Sequence, residues 1–207
     1  MDLALFDFDG TITTRETFPD FVRRAVPPGR QRWGGALLAP LVAGYRLGLV
    51  PGTTVRAAIV RIGLKGLPWV ELEAHGEAFA RQVLAQALRV DAMRRVDWHR
   101  ERGDTVVVVS GALDAYLRPW CESHALPVLC SALEVSDGRL TGRYDGPQCV
   151  LEEKARRVRA NYDPGRFERI HAYGDTPEDA PLLAMAHERW YRGRRVGAGG
   201  SPLSGQA

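Results

Sequence analysis

Residues 3–14 read LALFDFDGTITT, and this stretch decides the fold. Its first four residues, Leu3–Phe6, are apolar, as expected of a strand that is buried on both faces of a parallel sheet. Asp7 and Asp9 follow directly. In open α/β sheets, ligands bind beyond the carboxyl ends of the strands, where the loops lead into helices. The stretch therefore predicts a ligand site at the end of a first buried strand.

Two later runs, Thr105–Val109 and Arg169–Tyr173, have the same strand character and also end in polar clusters. Roughly a hundred residues separate the first two strands, whereas a simple crossover needs about a dozen. The sequence therefore predicts an α/β fold, a Rossmann-like doubly wound parallel sheet with an inserted helical cap. The predicted units are a core at residues 1–14 and 97–196, a helical cap at 15–96 and a disordered tail at 197–207.

Periodicity and turn residues predict the smaller elements. Apolar residues recur every three or four positions from Glu16 to Ala25 and from Trp69 to Val96, which predicts helices in the cap. Asp137-Gly138 separates two short apolar runs within residues 133–144 and predicts a hairpin turn.

Length and composition fit one globular domain with an insert. The chain has 207 residues, 45% of them hydrophobic and 26% charged, which is typical of soluble proteins. The formal charge of +3 is small and the arginines are spread along the chain, so no nucleic-acid partner is predicted. Cys121, Cys130 and Cys149 lack the spacing of a zinc site or a disulfide framework. No signal-peptide pattern precedes the first strand, which predicts a cytoplasmic location.

Residues 33–51, WGGALLAPLVAGYRLGLVP, are apolar except for Arg46 and are interrupted by Pro40 and several glycines. A spanning helix needs an uninterrupted run of about 18 or more apolar residues, so no stable membrane span is predicted. The sequence favours a pair of cap helices packed on each other. The alternative is an interfacial surface that faces lipid.

Asp7 and Asp9 carry a recognisable chemistry. The Asp7 carboxylate can attack phosphorus and form an acyl phosphate. The Asp9 carboxyl can protonate the leaving oxygen and later deprotonate water. Gly10 permits a sharp turn whose following amides face phosphate oxygens. The alternative is an ordinary strand-end turn formed by Asp9 and Gly10.

Two further groups can bind phosphate. Ser110 and Gly111 end the second strand before a predicted helix start, where a hydroxyl and free amides bind anions. Lys154 lies in the predicted helix Val150–Tyr162 and can neutralise both a phosphate and Asp7. Taken alone, each has a simpler interpretation: Ser110 as a helix N-cap, and Lys154 as one more solvated cation in an arginine-rich run.

Residues 174–179 read GDTPED, follow the third strand and open a helix. Thr176 and Asp179 have capping-box spacing, so helix capping explains part of this acidic cluster. Asp175 lies before the helix, where a carboxylate has no capping role. Mg²⁺ prefers oxygen ligands and usually takes one or two carboxylates plus substrate phosphate. Asp7 and Asp175 are therefore predicted to hold Mg²⁺.

The motifs DFDGT, SGA, a downstream lysine and GDTPED, in this order, resemble those of the haloacid dehalogenase-like phosphohydrolase superfamily. The resemblance spans most of the chain and implies a Mg²⁺-dependent phosphatase that acts through an aspartyl phosphate. It implies the following site: Asp7 as nucleophile, Asp9 as general acid/base, Ser110, Gly111 and Lys154 as phosphate ligands, and Asp7, Asp9, Asp175 and Asp179 at the metal. Asp9 would contribute its backbone carbonyl.

Finer features resemble the phosphoserine phosphatase branch, subfamily IB. The insertion follows the first motif, and the segments VVVVSGALDAYLRPW and SDGRLTGRYDG are similar to that branch. Glu16 stands where the branch has a substrate-contacting glutamate. With an amino-acid phosphate as substrate, Glu16 would pair with its ammonium group and Arg56 with its carboxylate. The alternative for Glu16 is an exposed carboxylate in the first turn of a cap helix.

Other features point away from phosphoserine. Ala112 stands where a second glycine is common, and Glu178 where asparagine is usual. The apolar stretch 33–51, the pattern HERWYRG at 187–193 and the length also resemble phosphatidylglycerophosphatases of the type C family. The predicted partner is thus a small phosphomonoester or a lipid phosphate. A non-catalytic phosphate-binding module and a dehalogenase are the remaining alternatives, and the complete set of charged groups disfavours both.

Overall fold

The computed structural model describes residues 1–197 and centres on a seven-stranded sheet. The strands are β1 (Leu3–Phe6), β2 (Thr105–Leu113), β3 (Val128–Ser136), β4 (Arg139–Asp145), β5 (Ile170–Gly174), β6 (Glu188–Tyr191) and β7 (Arg194–Val196). Their order across the sheet is β4-β3-β2-β1-β5-β6-β7. Strands β3, β2, β1, β5 and β6 run parallel to one another. Strands β4 and β7 lie at the two edges of the sheet and run antiparallel to their neighbours.

Helices connect these strands. They are α1 (Phe18–Ala25), α2 (Pro28–Arg46), α3 (Gly52–Ile59), α4 (Trp69–Phe79), α5 (Ala85–Ala87), α6 (Val90–Glu101), α7 (Asp114–Ser123), α8 (Glu152–Asn161) and α9 (Ala180–Ala184). Single π-helical turns continue α3 over Val60–Leu64 and α4 over Ala80–Leu84. Of the predicted tail, residues 197–207, only residue 197 is among the described residues.

Strand β1 is buried on both faces, as its apolar run predicts. Leu3 and Leu5 pack into one hydrophobic cluster with residues of α8 and α9. Ala4 and Phe6 pack into the other, which includes residues of α1, α4 and α7. Because successive side chains of a strand point to opposite faces, a fully apolar strand needs cover on both sides. The doubly wound α/β fold with an inserted helical segment is confirmed.

The helices predicted over residues 69–96 are present as α4, α5 and the first part of α6. The chain breaks between them at Leu88 and Arg89. There, Leu88 forms a β-bridge with Thr13, and the Arg89 amide donates to the Ile12 carbonyl (2.8 Å). These contacts to the segment after β1 use backbone groups that a continuing helix would need. The boundaries predicted for core and cap stay a prediction.

Helix α2 runs unbroken through Pro40, against the expectation of a break. Proline in a helix leaves the carbonyl four residues earlier without its donor. Ala36 and Pro40 are both exposed, so solvent can satisfy that carbonyl. The predicted pair of helices within residues 33–51 is therefore wrong: a single helix covers residues 33–46, packs on α3 outside the stretch, and leaves most of the apolar residues exposed or half-buried. Within residues 1–197, none of the helices has the length and hydropathy that a membrane crossing requires.

The hairpin of β3 and β4 is confirmed and attaches the insertion to the sheet. Asp137 and Gly138 both have positive φ, 50° and 71°, which suits a tight two-residue hairpin turn. The Trp69 amide donates to the Gly138 carbonyl (2.9 Å), and the Gly66 amide donates to the Leu140 carbonyl (2.7 Å). These bonds hold the start of α4 against the hairpin.

Candidate active site

Asp7 lies at the carboxyl end of β1 and is 5% exposed. Its amide donates to the Tyr173 carbonyl (2.9 Å), which extends the pairing of β1 with β5 by one residue. Gly10 then turns the chain with φ +76°. A Cβ atom at Gly10 would lie 2.1 Å from the Asp175 carboxylate oxygen Oδ2, so only glycine fits here. The loops after β1 and β5 are therefore in direct contact.

Lys154 of α8 is buried between two carboxylates. Its Nζ lies 2.5 Å from Oδ1 of Asp7 and 2.5 Å from Oδ1 of Asp179. Burial alone would lower the pKa of Lys154, but the charges of Asp7 and Asp179 outweigh it and raise that pKa. The ammonium thus stays protonated. The interpretation of Lys154 as a solvated cation is wrong, because this lysine is 3% exposed.

Asp179 uses its second oxygen to cap a turn. Oδ2 accepts from the amides of Asp175 (3.0 Å) and Thr176 (3.1 Å) and from the Thr176 hydroxyl (3.2 Å). The predicted capping box is confirmed. Asp179 therefore caps the turn with Oδ2 and binds Lys154 with Oδ1 at the same time.

Asp7, Asp175 and Asp179 fit a divalent metal. Each can offer a carboxylate oxygen, and the three oxygens lie within 4.8 Å of one another. Lys154 supplies one positive charge against three carboxylates, which leaves a formal surplus of two negative charges. Burial, followed by the charge of Asp179, raises the pKa of both Asp7 and Asp175, as expected of acids that compete for one cation. An oxygen-rich site with this surplus suits Mg²⁺.

Asp9 is held apart from this cluster by Thr17. Asp9 Oδ1 accepts from the Thr17 amide (3.1 Å) and hydroxyl (2.6 Å), and the Tyr116 hydroxyl lies 3.2 Å from that hydroxyl. Burial raises the pKa of Asp9 to about 7; the charge of Glu16 adds to the rise, and the hydrogen bonds from Thr17 oppose it. Sequence reasoning missed Thr17 and Tyr116, because neither belongs to a motif.

A family model of haloacid dehalogenase-like hydrolases matches residues 4–184. The chain belongs to this family. The protein CicA of Caulobacter vibrioides is 34% identical over 192 residues, which cover 92% of this chain and 85% of CicA. The predicted family and its hydrolase class are confirmed.

Solved structures share the fold. A protein with unknown function from Bordetella pertussis Tohama I has a TM-score of 0.76 at 26% identity, over 91% of this chain and 88% of that chain. A phospho-aspartyl intermediate analogue of phosphoserine phosphatase has a TM-score of 0.66 at 23% identity, over 90% of this chain and 84% of that chain. The second likeness shows a common fold.

In this haloacid dehalogenase-like hydrolase, Ser110 and Gly111 lie at a bulge rather than at a helix start. Ser110 pairs with Cys130 and Leu113 with Ser131, so the residues between leave the ladder. Helix α7 follows from Asp114, as predicted for the residues after Ala112, but its N-cap is Leu113, so the N-cap interpretation of Ser110 is wrong. The Ser110 hydroxyl oxygen accepts from the Ala112 amide (3.2 Å). Bulges of this kind often re-aim side chains beside active sites.

The two predicted cap residues have different surroundings. Glu16 is exposed and lies close enough for its charge to affect Asp9. Arg56 bonds both oxygens of Glu178 through Nη2 (2.9 and 3.2 Å) and the Gln148 side-chain oxygen through Nε (3.1 Å). Arg56 is the residue predicted to hold a substrate carboxylate, and in the structure it binds Glu178. Glu178 is also the position where the sequence has glutamate instead of the asparagine usual in phosphoserine phosphatases.

Replacing Lys154 by methionine should strongly destabilise the protein, because Asp7 and Asp179 would lose their shared ammonium. Removing one partner of a buried ion pair typically costs about 3–5 kcal/mol. Urea unfolding of Lys154→Met measures the loss. The control is Lys65→Met, at the other lysine of the chain, which is exposed. It should change the free energy of unfolding by less than about 0.5 kcal/mol. Equal unfolding midpoints for the wild type and Lys154→Met would contradict the arrangement.

Proposed function

We propose that this protein is a Mg²⁺-dependent phosphomonoester phosphatase that forms an aspartyl phosphate on Asp7. The observation that supports this most is the buried group of Asp7, Lys154 and Asp179, with Asp175 beside it. These side chains come from three distant segments and meet beyond the carboxyl ends of parallel strands, where α/β enzymes bind ligands. The family match is consistent with this chemistry. We keep the predicted cytoplasmic location as part of the proposal.

The proposed reaction has two steps. In the first, a carboxylate oxygen of Asp7 attacks phosphorus, the bond from phosphorus to the leaving oxygen breaks, and Asp9 gives its proton to that oxygen. In the second, water attacks the phosphorus and gives a proton to Asp9, and the bond between phosphorus and Asp7 breaks. The pKa of Asp9, about 7, makes both of its protonation states accessible near neutral pH.

The remaining residues bind and neutralise the phosphate. Lys154 offers its ammonium beside Asp7, and Ser110 and Gly111 offer a hydroxyl and an amide at the neighbouring strand end. Asp7, Asp175 and Asp179, with the Asp9 backbone carbonyl, would hold Mg²⁺. When bound, Mg²⁺ would offset the repulsion between these acids and a phosphate dianion.

Two substrate classes have support from particular residues. Glu16, close to Asp9, favours an amino-acid phosphate whose ammonium group it would bind. The engagement of Arg56 by Glu178 and the exposed apolar residues of α2 favour a lipid phosphate instead. The proposed reaction is the same for both.

Asp7→Asn should abolish turnover, because a neutral amide is a far poorer nucleophile than a carboxylate. We expect phosphate release to fall by about a thousandfold or more, with an unchanged far-UV circular dichroism spectrum. Asp97→Asn, at an exposed aspartate of α6, is the control and should retain activity. Near-normal phosphate release by Asp7→Asn would exclude the covalent mechanism.

Chelation with EDTA should abolish activity, and added Mg²⁺ should restore it. Asp175→Ala should raise the Mg²⁺ concentration for half-maximal activity by roughly tenfold or more, because it removes an oxygen ligand. Glu178→Ala is the matched control in the same loop and should leave that concentration nearly unchanged, since Glu178 binds Arg56. Full activity after exhaustive chelation, or equal effects of the two variants, would contradict the metal assignment.

A phosphate-release assay over phosphoserine, small phosphomonoesters without an ammonium group and phosphatidylglycerol phosphate should separate the substrate classes. If Glu16 binds a substrate ammonium, Glu16→Gln lowers kcat/KM for phosphoserine by roughly tenfold and spares the other esters. A uniform effect on all substrates would exclude that contact. Faster turnover of the lipid, unaffected by Glu16→Gln, would establish the second class.

A further inference from the structure

Charge is distributed unevenly along the chain. Residues 21–70, called here the acid-free segment, contain eight arginines and lysines and no aspartate or glutamate. Because the whole chain carries +3 and this segment +8, the rest of the chain carries −5. The segment covers α2, α3 and most of α1. Its positive charge is therefore concentrated on the insertion.

The acid-free segment also has an apolar surface, formed by Trp33, Leu37, Leu47 and Leu49. Their exposed fractions are 55%, 62%, 73% and 77%. Between Trp33 and Tyr45, α2 carries no charged side chain, and its solvent side consists of alanines, Pro40 and the exposed large residues. Single exposed apolar residues are normal, but several of them in one segment without acidic residues point to an interaction surface.

Exposed cations accompany the apolar surface. In the part of the chain that the structure describes, five of them have no carboxylate partner: Arg24, Arg32, Arg46, Arg61 and Lys65. The combination of exposed aromatic and leucine side chains with arginine and lysine is typical of helices that lie at a membrane interface. Each cation close to an anionic bilayer contributes about 1 kcal/mol to binding.

Tyr45, at the end of α2 that precedes Leu47 and Leu49, lies beside the candidate active site. A Cβ atom placed on Gly52 would lie 3.3 Å from the Tyr45 ring and 3.6 Å from a carboxylate oxygen of Glu178. Glu178 directly precedes Asp179, which binds Lys154. A partner in contact with this end of α2 would therefore lie close to the candidate active site.

We propose that the acid-free segment docks on the surface of an anionic lipid bilayer. Trp33, Leu37, Leu47 and Leu49 enter the headgroup region, and the surrounding arginines contact anionic lipid headgroups. Charge complementarity favours this occupant over a two-fold dimer through the same surface, which would bring two segments of +8 face to face. Delivery of a phosphate from the membrane to Asp7 rests on the proposed function, whereas docking itself does not.

Vesicle sedimentation with the full chain tests docking without reference to activity. We expect the protein to bind vesicles of phosphatidylcholine mixed with phosphatidylglycerol, to bind phosphatidylcholine alone much more weakly, and to be released by salt. The double variant Leu47→Ser/Leu49→Ser should weaken partitioning by roughly tenfold or more. Val90→Ser, at a 66% exposed valine outside the segment, is the matched control and should bind like the wild type.

Hydrolysis of a water-soluble phosphomonoester by the double variant separates the two proposals. If the double variant loses vesicle binding but keeps hydrolysis, docking is supported. If the wild type binds vesicles but does not hydrolyse the ester, docking stands and the proposed function is overturned. Failure of the wild type to bind anionic vesicles would overturn docking. So would equal binding to both vesicle types, or a dimer in light scattering that the double variant converts to a monomer.

Discussion

The buried ammonium of Lys154, shared by Asp7 and Asp179, is the interaction on which the site depends. A buried charge is tolerated only when it is paired and hydrogen-bonded, so the three side chains fix one another. They tie α8 to the end of β1 and to the turn after β5. Because the second oxygen of Asp179 caps that turn, the same carboxylate also positions the amides of Asp175 and Thr176.

The same arrangement gives two neighbouring aspartates different chemistry. Asp7 lies in a cluster with surplus negative charge, where burial and the charge of Asp179 raise its pKa and the ammonium of Lys154 opposes that rise. Asp9 lies two residues on, outside that cluster, and burial sets its pKa near neutrality while Thr17 holds it in place. Under the proposed mechanism, these different surroundings would let Asp7 act as nucleophile and Asp9 as acid/base. One strand end thus supplies both groups.

Local patterns in the sequence sufficed for β1, β2, β5, the hairpin at Asp137-Gly138 and the acidic motifs, because each depends on neighbours along the chain. Features that depend on distant partners escaped prediction. The motif order predicted Lys154 beside Asp7, but no sequence pattern indicated its second contact, with Asp179. The helix break at Leu88 depends on pairing with Thr13, and the bulge after Ser110 on the register with β3. Thr17 has no motif to mark it as the partner of Asp9.

The pair of Arg56 and Glu178 links the positively charged insertion to the acidic core. Both side chains are partly exposed, 22% and 34%, and pairs of this kind contribute only about 0–1 kcal/mol. The link is therefore weak enough for an anionic substrate group to replace Glu178 on the guanidinium. A small phosphomonoester with no second anionic group cannot make that exchange. If the proposed phosphatase activity holds, competition for Arg56 would give the insertion a physical means of selecting substrates with a second negative charge, whether that charge is a carboxylate or belongs to a lipid headgroup.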